Sequence, residues 1–286
     1  ITHGHIDHMN ALPMLLRHGD GDPKVHVMAP SSILYRLRQF AQLSYAVKVD
    51  DGDDLPSAYS PPPESERFCE HGVFEDEFNK WHAVVADSVT ALSVGRKGTA
   101  LLSVRALQLF HGRCSSVGYL LSIPAGTKKK LRADLVGSTK QESAANVQNA
   151  KSRSEEINET VHVPEQPKLA FVLDTTIEAL QVEKSSTAQR ILECPGIMIE
   201  CTYLEDTKEQ EAECRGHVWW GGLVTFVKAN PSRTWVLVHF SLRYKDKEII
   251  DFFANAEQSR IVLEDLVLWL DSGAKKVVDS FISVRK

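Results

Sequence analysis

The chain has 286 residues, 43% of them hydrophobic, which is enough for one large domain or two small ones with an apolar core. Its formal net charge of −5 gives no overall attraction to nucleic acid or anionic membrane, so a nucleic-acid enzyme would need a local basic patch. Five cysteines without a CxxC pair argue against a disulfide framework, and no apolar run is long enough to predict a membrane span. We therefore expect an intracellular, reducing compartment, with the cytoplasm preferred and the nucleus or mitochondrion left open.

The first eight residues, ITHGHIDH, concentrate metal-binding side chains. His3 and His5 flank one glycine and can converge on one metal ion, whereas Asp7 and His8 point elsewhere, as a second ion would require. A chance cluster or the remnant of a purification tag is the alternative, but tags repeat histidine without interspersed Gly, Ile and Asp. The sequence therefore predicts a metal site. Because the chain opens inside this motif without Met, we expect further sequence before it.

Short apolar runs recur along the chain and alternate with helical patterns. Strands are predicted over residues 24–29, 100–110, 117–123, 168–173, 196–199 and 234–238, and helices over 31–42, 187–193, 217–228 and 247–254. Several of these runs are apolar on both faces, which is typical of strands covered by helices. The fold class predicted is α/β.

Two segments have the composition of insertions. Residues 49–66 are acidic and rich in proline, which predicts an exposed loop. Residues 128–166 begin with Lys128, Lys129, Lys130 and Arg132 and then become polar, which predicts a partly disordered arm. The lysine run is either a nucleic-acid contact or a solvated loop edge.

Three more candidate ligands follow predicted strands, namely His111, Asp174 and His239. Each alone is more often a structural polar group, but loops at strand ends converge in sheets that are covered by helices. Together with the opening motif they make seven ligands, enough for two metal ions that share one carboxylate. Paired ions are a recognised device for phosphoester cleavage.

The opening motif resembles the THxHxDH signature of the metallo-β-lactamase superfamily. Further motifs occur in the order seen in ribonuclease Z, the tRNA 3′-processing endonuclease: ALPMLL, SVGY after His111, LDTT, IECTYLED, an isolated GH and VHFSLRY. The resemblance covers nearly the whole chain, is closest to the short eukaryotic form, and depends most on the specific HFSxRY element. It implies one metallo-β-lactamase domain over residues 1–286, a four-layer αββα sandwich, and we expect its N-terminal strands to be missing from this chain.

The resemblance also implies the division of the ligands between two divalent metal ions, for which zinc is the expected element. His3, His5 and His111 would bind one ion. Asp7, His8 and His239 would bind the other, and Asp174 would bridge the two.

Roles in catalysis are implied in the same way. Asp7 would orient or deprotonate the attacking water, and His217 would protonate the leaving oxygen. Arg243 would pair with a phosphate oxygen, and Ser116 is a weaker candidate for a phosphate contact. Glu200 either orients His217 or a ligand, or is a strand-end carboxylate satisfied by the backbone.

The chain departs from the family pattern at three places. Leu173 stands where glycine usually precedes the bridging aspartate, and the link after His111 is one residue longer than usual, which affects the placement of Ser116. The bacterial tRNA-binding arm has no clear counterpart. The run Lys128, Lys129, Lys130 and Arg132 is therefore predicted to contact the tRNA elbow.

The predicted function is removal of the 3′ trailer from precursor tRNA by metal-activated water, with a possible homodimer as the family implies. A relative that hydrolyses small phosphodiesters, cyclic nucleotides or thioesters is one alternative, and a non-catalytic scaffold subunit is another. Trp219 and Trp220 could stack a base, although core or dimer packing is favoured for both.

Overall fold

The computed structural model describes residues 1–3, 25–46, 72–75, 79–94, 100–112, 114–259, 266–270 and 273–276. His5, Asp7, His8 and the acidic loop predicted over 49–66 lie outside the described residues. Where one domain was expected, the contacts divide the chain into two units, one of Ile1–Leu121 with Pro167–Lys286 and the other of Ser122–Gln166.

The described strands are numbered in chain order. They are β1 Val25–Pro30, β2 Gly72–Glu75, β3 Asn79–Val84, β4 Val89–Val94, β5 Ala100–His111, β6 Cys114–Ile123, β7 Gly126–Leu131, β8 Asn158–Val163, β9 Gln166–Val172, β10 Gly196–Glu200, β11 Thr234–Val238, β12 Leu266–Leu270 and β13 Gly273–Lys276. The helices are α1 Ser31–Ala46, α2 Lys140–Ser152, α3 Ala188–Leu192, α4 Glu209–Arg215, α5 Trp220–Ala229, α6 Asp246–Ala254 and α7 Ala256–Ser259.

The described residues of the larger unit form two sheets. The first has the strand order β1-β3-β2, and the second has the order β13-β12-β11-β10-β9-β6-β5-β4. Four neighbouring strands of the second sheet, β9, β10, β11 and β12, run parallel to one another. Their carboxyl ends therefore lie along one edge of the sheet.

Side chains alternate between the two faces of each sheet. Both faces carry apolar side chains, so each sheet packs against helices on one face and against the other sheet on the other, which gives four layers. On β1, Val27 and Ala29 pack with Leu34 and Leu37 of α1, whereas Met28 packs toward the second sheet. The opposite face of the second sheet supports the largest apolar cluster, to which helices α5 and α6 contribute. The order helix, sheet, sheet, helix agrees with the predicted αββα sandwich.

The predicted helix over 217–228 begins later, at Trp220. Two residues that were predicted to be helical make other contacts. The Val218 amide donates to the Glu200 carboxylate, and Trp219 forms a β-bridge with Tyr203. His217 consequently lies in the loop that enters α5. The other predicted strands and helices in the described part of the chain agree with the structure to within a few residues.

The smaller unit has regular structure where the composition predicted a partly disordered arm. Strands β7 and β8 pair in antiparallel fashion, with Lys130 opposite Glu159. Helix α2 begins at a cap in which the Thr139 hydroxyl accepts from the Glu142 amide, while the Glu142 carboxylate accepts from the Ser138 amide. These local contacts order a segment that buries few apolar side chains.

None of the helices described is both long enough and apolar enough to cross a membrane.

Replacing Trp220 tests the packing between α5 and α6. Its ring is fully buried, lies edge-on to Phe253 at 4.8 Å between centroids, and donates to the Ser259 carbonyl at 2.7 Å. Trp220→Ala should lower the free energy of unfolding by about 3–5 kcal/mol, measured by urea denaturation. Trp269→Ala is the matched control, since that side chain is 55% exposed and should cost about 1 kcal/mol or less. Equal losses in the two variants would contradict the packing described.

Candidate metal centre

The carboxyl ends of three neighbouring parallel strands bring together residues that were predicted to lie at strand ends. Asp174 follows β9, Glu200 is the last residue of β10, and His239 comes directly after β11. His111 is the last residue of β5. Open sheets place ligands at this kind of edge because the loops converge there.

Asp174 lies at the centre of this group and is 1% exposed. One carboxylate oxygen, Oδ2, is 3.1 Å from His3 Nε2 and 3.8 Å from His111 Nε2. The other oxygen, Oδ1, is 3.4 Å from His239 Nε2. The two oxygens of a single carboxylate therefore face different imidazoles.

The three imidazoles are held from behind through their other ring nitrogen. The contacts are His3 Nδ1 to Thr2 Oγ1 at 3.0 Å, His111 Nδ1 to the Gly216 carbonyl at 2.8 Å, and His239 Nδ1 to Thr202 Oγ1 at 3.2 Å. A carbonyl only accepts, so His111 carries its proton on Nδ1 and presents the lone pair of Nε2 toward Asp174. Such contacts behind a histidine are usual in protein metal sites.

The spacing of these atoms fits a metal ion. Ligands about 2.05 Å from a tetrahedral zinc are about 3.3 Å from one another. The measured separations between imidazole nitrogens and Asp174 oxygens range from 3.1 to 3.8 Å. Two groups of candidate ligands overlap at Asp174: His3, His111 and Asp174, and also Asp174, Glu200, His217 and His239, with ligand atoms within 4.8 Å of one another in each group.

Glu200 is fully buried, and hydrogen bonds occupy both of its oxygens. The donors are the Thr175 amide at 2.5 Å, the Thr202 hydroxyl at 2.5 Å, His217 Nδ1 at 2.9 Å and the Val218 amide at 3.2 Å. The sequence left two interpretations of Glu200 open: it orients His217 or a ligand, or it is a strand-end carboxylate satisfied by the backbone. Contacts of both kinds are present, because the carboxylate accepts from two backbone amides and also from His217. With this many donors around it, Glu200 is better suited to orienting its neighbours than to binding an ion.

His217, a member of the second group, lies close to one histidine of each group. Its ring centroid is 5.0 Å from that of His111 and 5.5 Å from that of His239. Burial of the ring opposes its positive charge, but the hydrogen bond to Glu200 and the charges of Glu200 and Asp174 outweigh this, so the pKa of His217 is raised above its ordinary value. The protonated form of His217 is thereby favoured.

Gly216 has a backbone conformation and a position that a side chain would disturb. Its φ of +76° lies in the left-handed region, and it is the residue after helix α4. A Cβ at this position would lie 2.3 Å from the Gly112 nitrogen and 2.7 Å from the His111 carbonyl carbon. Glycine is therefore required for the close approach that lets the Gly216 carbonyl accept from His111.

Asp174 and His239 also have positive φ angles, of 49° and 57°. Side chains other than glycine rarely adopt this region, and such strain is common at functional sites. Leu173, which precedes Asp174 where the family pattern has glycine, is partly buried.

A cavity of about 440 Å³ opens beside His217 and His239, and Arg243 is part of its lining. Arg243 is held in place: Nη2 donates to Glu211 at 3.1 Å, Nε donates to the Ser241 hydroxyl at 3.1 Å, and the guanidinium stacks 5.0 Å from the Tyr203 ring centre. Hydrogen bonds from Lys208 and Arg243 lower the pKa of Glu211 to about 2. A fixed guanidinium beside an imidazole is suited to binding a phosphate.

Ser116 is fully buried, and its hydroxyl donates to the Leu173 carbonyl at 3.4 Å. The predicted phosphate contact of Ser116 would require this hydroxyl to leave its buried position.

The predicted RNA-binding side chains lie in the smaller unit, on and after β7. Lys128, Lys129 and Lys130 are exposed on the strand. Arg132 is engaged differently, because it pairs with Asp134 at 2.7 Å and donates to the Glu156 carbonyl at 2.9 Å. The three lysines are therefore the more accessible part of the predicted basic run.

Several residues of the site were not singled out from the sequence, among them Thr202, Tyr203 and Trp269 of the cavity lining and Glu211, which accepts from Arg243. Thr202 and Tyr203 come just after Glu200, so the strand-end criterion that located Asp174 could also have found them. Trp269 is the penultimate residue of β12, which belongs to the same parallel series. Glu211 is on α4, and only the folded chain brings it to Arg243.

Comparison with known proteins gives one relative with a described activity. No family model matches the chain. tRNase Z TRZ1 from Arabidopsis thaliana is 27% identical over 252 residues, which cover 88% of this chain and 75% of that protein. The resemblance to ribonuclease Z that the motifs predicted is confirmed by this relative.

Two solved structures also resemble the chain. Human tRNase Z, short form, matches with a TM-score of 0.45 and 16% identity over 97% of this chain and 77% of its own. A metallo-β-lactamase fold protein, YhfI from Bacillus subtilis, matches with a TM-score of 0.44 and 11% identity over 96% of this chain and 75% of its own.

Gly216→Ala tests whether the backbone contact holds His111. The added methyl group must displace Gly112 or His111, so we expect a lower melting temperature and a loss of zinc affinity of about 10-fold or more, measured by competition with a chromophoric chelator. Gly126→Ala is the control, because a Cβ there meets no atom within 4 Å. Unchanged affinity and stability in Gly216→Ala would show that the contact does not position His111.

Proposed function

We propose that the chain is a two-metal phosphodiesterase of the ribonuclease Z type, an endonuclease that removes the 3′ trailer from precursor tRNA. One observation carries the proposal: the two oxygens of the buried Asp174 face separate imidazoles, beside a cavity lined by His217 and Arg243. The similarity to plant tRNase Z supports the choice of substrate.

The proposed ligands divide around Asp174. His3 and His111 lie on the Oδ2 side and His239 on the Oδ1 side, and His5, Asp7 and His8 complete the set as the sequence predicts. Zinc is the proposed metal because imidazole and carboxylate at this spacing suit it. Two divalent cations would supply positive charge for the phosphate oxygens and lower the pKa of water.

His217 is the proposed general acid. Its Nδ1 is bound to Glu200, so Nε2 is the nitrogen that can give a proton to the leaving oxygen. The Glu200 carboxylate stabilises the protonated ring, and its burial keeps this partner out of water. Glu200 therefore acts as a positioning residue.

Arg243 and Asp7 complete the assignment. Arg243, fixed by Glu211 and Tyr203, would bind a non-bridging phosphate oxygen, while Asp7 would orient or deprotonate the attacking water. Attack on phosphorus with loss of the leaving oxygen protonated by His217 yields a 3′-hydroxyl on the tRNA and a 5′-phosphate on the trailer.

The exposed lysines of β7 are proposed to contact tRNA, with Arg132 as a weaker contributor because it is already paired. We also propose a homodimer, on family resemblance alone, and a reducing compartment, foremost the cytoplasm. The free thiols of Cys194, Cys201 and Cys214 agree with a reducing compartment.

The deciding experiment compares a labelled precursor tRNA with bis(p-nitrophenyl) phosphate, using protein whose metal content has been measured. A stoichiometry near two and cleavage at the 3′ end of the tRNA support the proposal. Hydrolysis of the small diester without cleavage of the tRNA would indicate the alternative hydrolase. Folded protein that takes up no metal would indicate a scaffold subunit.

His217→Ala separates chemistry from metal binding. Loss of the general acid should lower kcat by about 10²–10⁴-fold while the bound metal stays near the wild-type level. Asp174→Ala should lose both ions, because its two oxygens face both groups of ligands. Metal analysis beside steady-state kinetics checks both variants, and substantial metal loss from His217→Ala would contradict its assignment.

Removing the three lysines of β7 tests the tRNA contact. A variant with Lys128, Lys129 and Lys130 replaced by alanine should raise KM for precursor tRNA and reduce its dependence on salt, while hydrolysis of the small diester is unchanged. The matched control replaces Lys140, Lys151 and Arg153 with alanine. This variant also loses three positive charges, but from α2 and the residue that follows it. Equal effects of the two triple variants would argue against a contact at β7.

A further inference from the structure

Trp269 is the one tryptophan of the chain that is substantially exposed. The chain has five tryptophans, and the other four, Trp81, Trp219, Trp220 and Trp235, are at most 7% exposed, against 55% for Trp269. Trp219 and Trp220, which the sequence offered as possible base-stacking residues, therefore belong to the core. Trp269 is therefore the indole of this chain that is accessible to a ligand.

The position of Trp269 follows from the parallel strand series. Leu268 of β12 pairs with Leu237 of β11, so Trp269 lies beside Val238, the residue before His239. A candidate metal ligand thus directly follows β11, and the penultimate residue of β12 carries an exposed aromatic ring. Trp269 lines the same cavity as His217, His239 and Arg243.

The cavity combines cationic and apolar surface. Arg215 and Arg243 contribute guanidinium groups, and Asp246 is the carboxylate in its lining. Leu242, next to Arg243 in the chain, is 96% exposed. The cavity has a volume of about 440 Å³, which is within the range of small-ligand sites, about 300–1,000 Å³.

These two kinds of surface match the two parts of one nucleotide. A guanidinium binds phosphate, and an indole face stacks on a base regardless of its sequence. Bases inside a duplex are already stacked on both faces, so only an unpaired nucleotide can use the ring.

We infer that Trp269 is a stacking platform for the base of an unpaired nucleotide joined to the scissile phosphate. The inference deepens the proposed function and rests on it. In this assignment Arg243 binds the phosphate and Trp269 holds the adjoining base. The pair would fix the position of the cleaved bond relative to the end of the acceptor stem.

A binding experiment tests the platform without catalysis. Metal-free protein is titrated with fluorescein-labelled tetra-adenylate, and affinity is measured by anisotropy at low salt. Trp269→Ala should weaken binding by about 5- to 150-fold, as loss of one base stack predicts, and Trp269→Phe should restore most of it. Leu101→Ala is the matched control, since Leu101 is 57% exposed on β5, far along the same sheet. Equal affinity of wild type and Trp269→Ala would overturn the inference.

A cleavage experiment then locates the base. Precursor tRNA is prepared with an abasic nucleotide on either side of the cleaved bond, and kcat and KM are compared for wild type and Trp269→Ala. The variant should be impaired on the normal substrate and on one abasic substrate, and should equal wild type on the other. Equal impairment on all three substrates would overturn the inference. If wild type cleaves none of them, the proposed function fails, while the oligonucleotide titration still decides the role of Trp269.

Discussion

The Glu200 carboxylate is removed from water completely, and an ionised carboxylate loses several kcal/mol of hydration when it is buried. Four hydrogen bonds offset that loss, and each comes from a segment that carries a site residue. Thr175 follows Asp174, Thr202 also contacts His239, and Val218 follows His217. The need to satisfy one buried charge therefore fixes the relative positions of these three residues, and removal of any donor would leave the carboxylate undersatisfied.

Much of the candidate site was predictable because it lies at strand ends. Buried strands are visible as apolar runs, and the polar residues that terminate them, His111, Asp174 and His239, converge once the strands are adjacent. Apolar runs do not reveal the order in which strands lie side by side in a sheet. The sequence therefore could not show that Trp269 would lie beside the end of β11. Nor could it show that Glu211 would tether Arg243, because that contact joins a helix to a loop 32 residues later.

The smaller unit shows how composition can mislead. Residues 128–166 have few apolar side chains, which predicts disorder when burial is the only source of stability. The pairing of β7 with β8 and the cap at Thr139 act through backbone and polar contacts, which a count of apolar residues does not register. The T-x-x-E pattern that begins at Thr139 was the local sign of a helix.

The residues around Asp174 come from distant parts of the chain, since His3, His111, Asp174 and His239 belong to four separate segments. Closing loops of this length costs entropy, which the packing of the sheets and helices must offset. A cation bound only by the assembled group would stabilise the native state by about 2.7 kcal/mol at a free concentration one hundred times its dissociation constant. The resistance of such a chain to heat or proteolysis would then depend on the supply of metal in its surroundings.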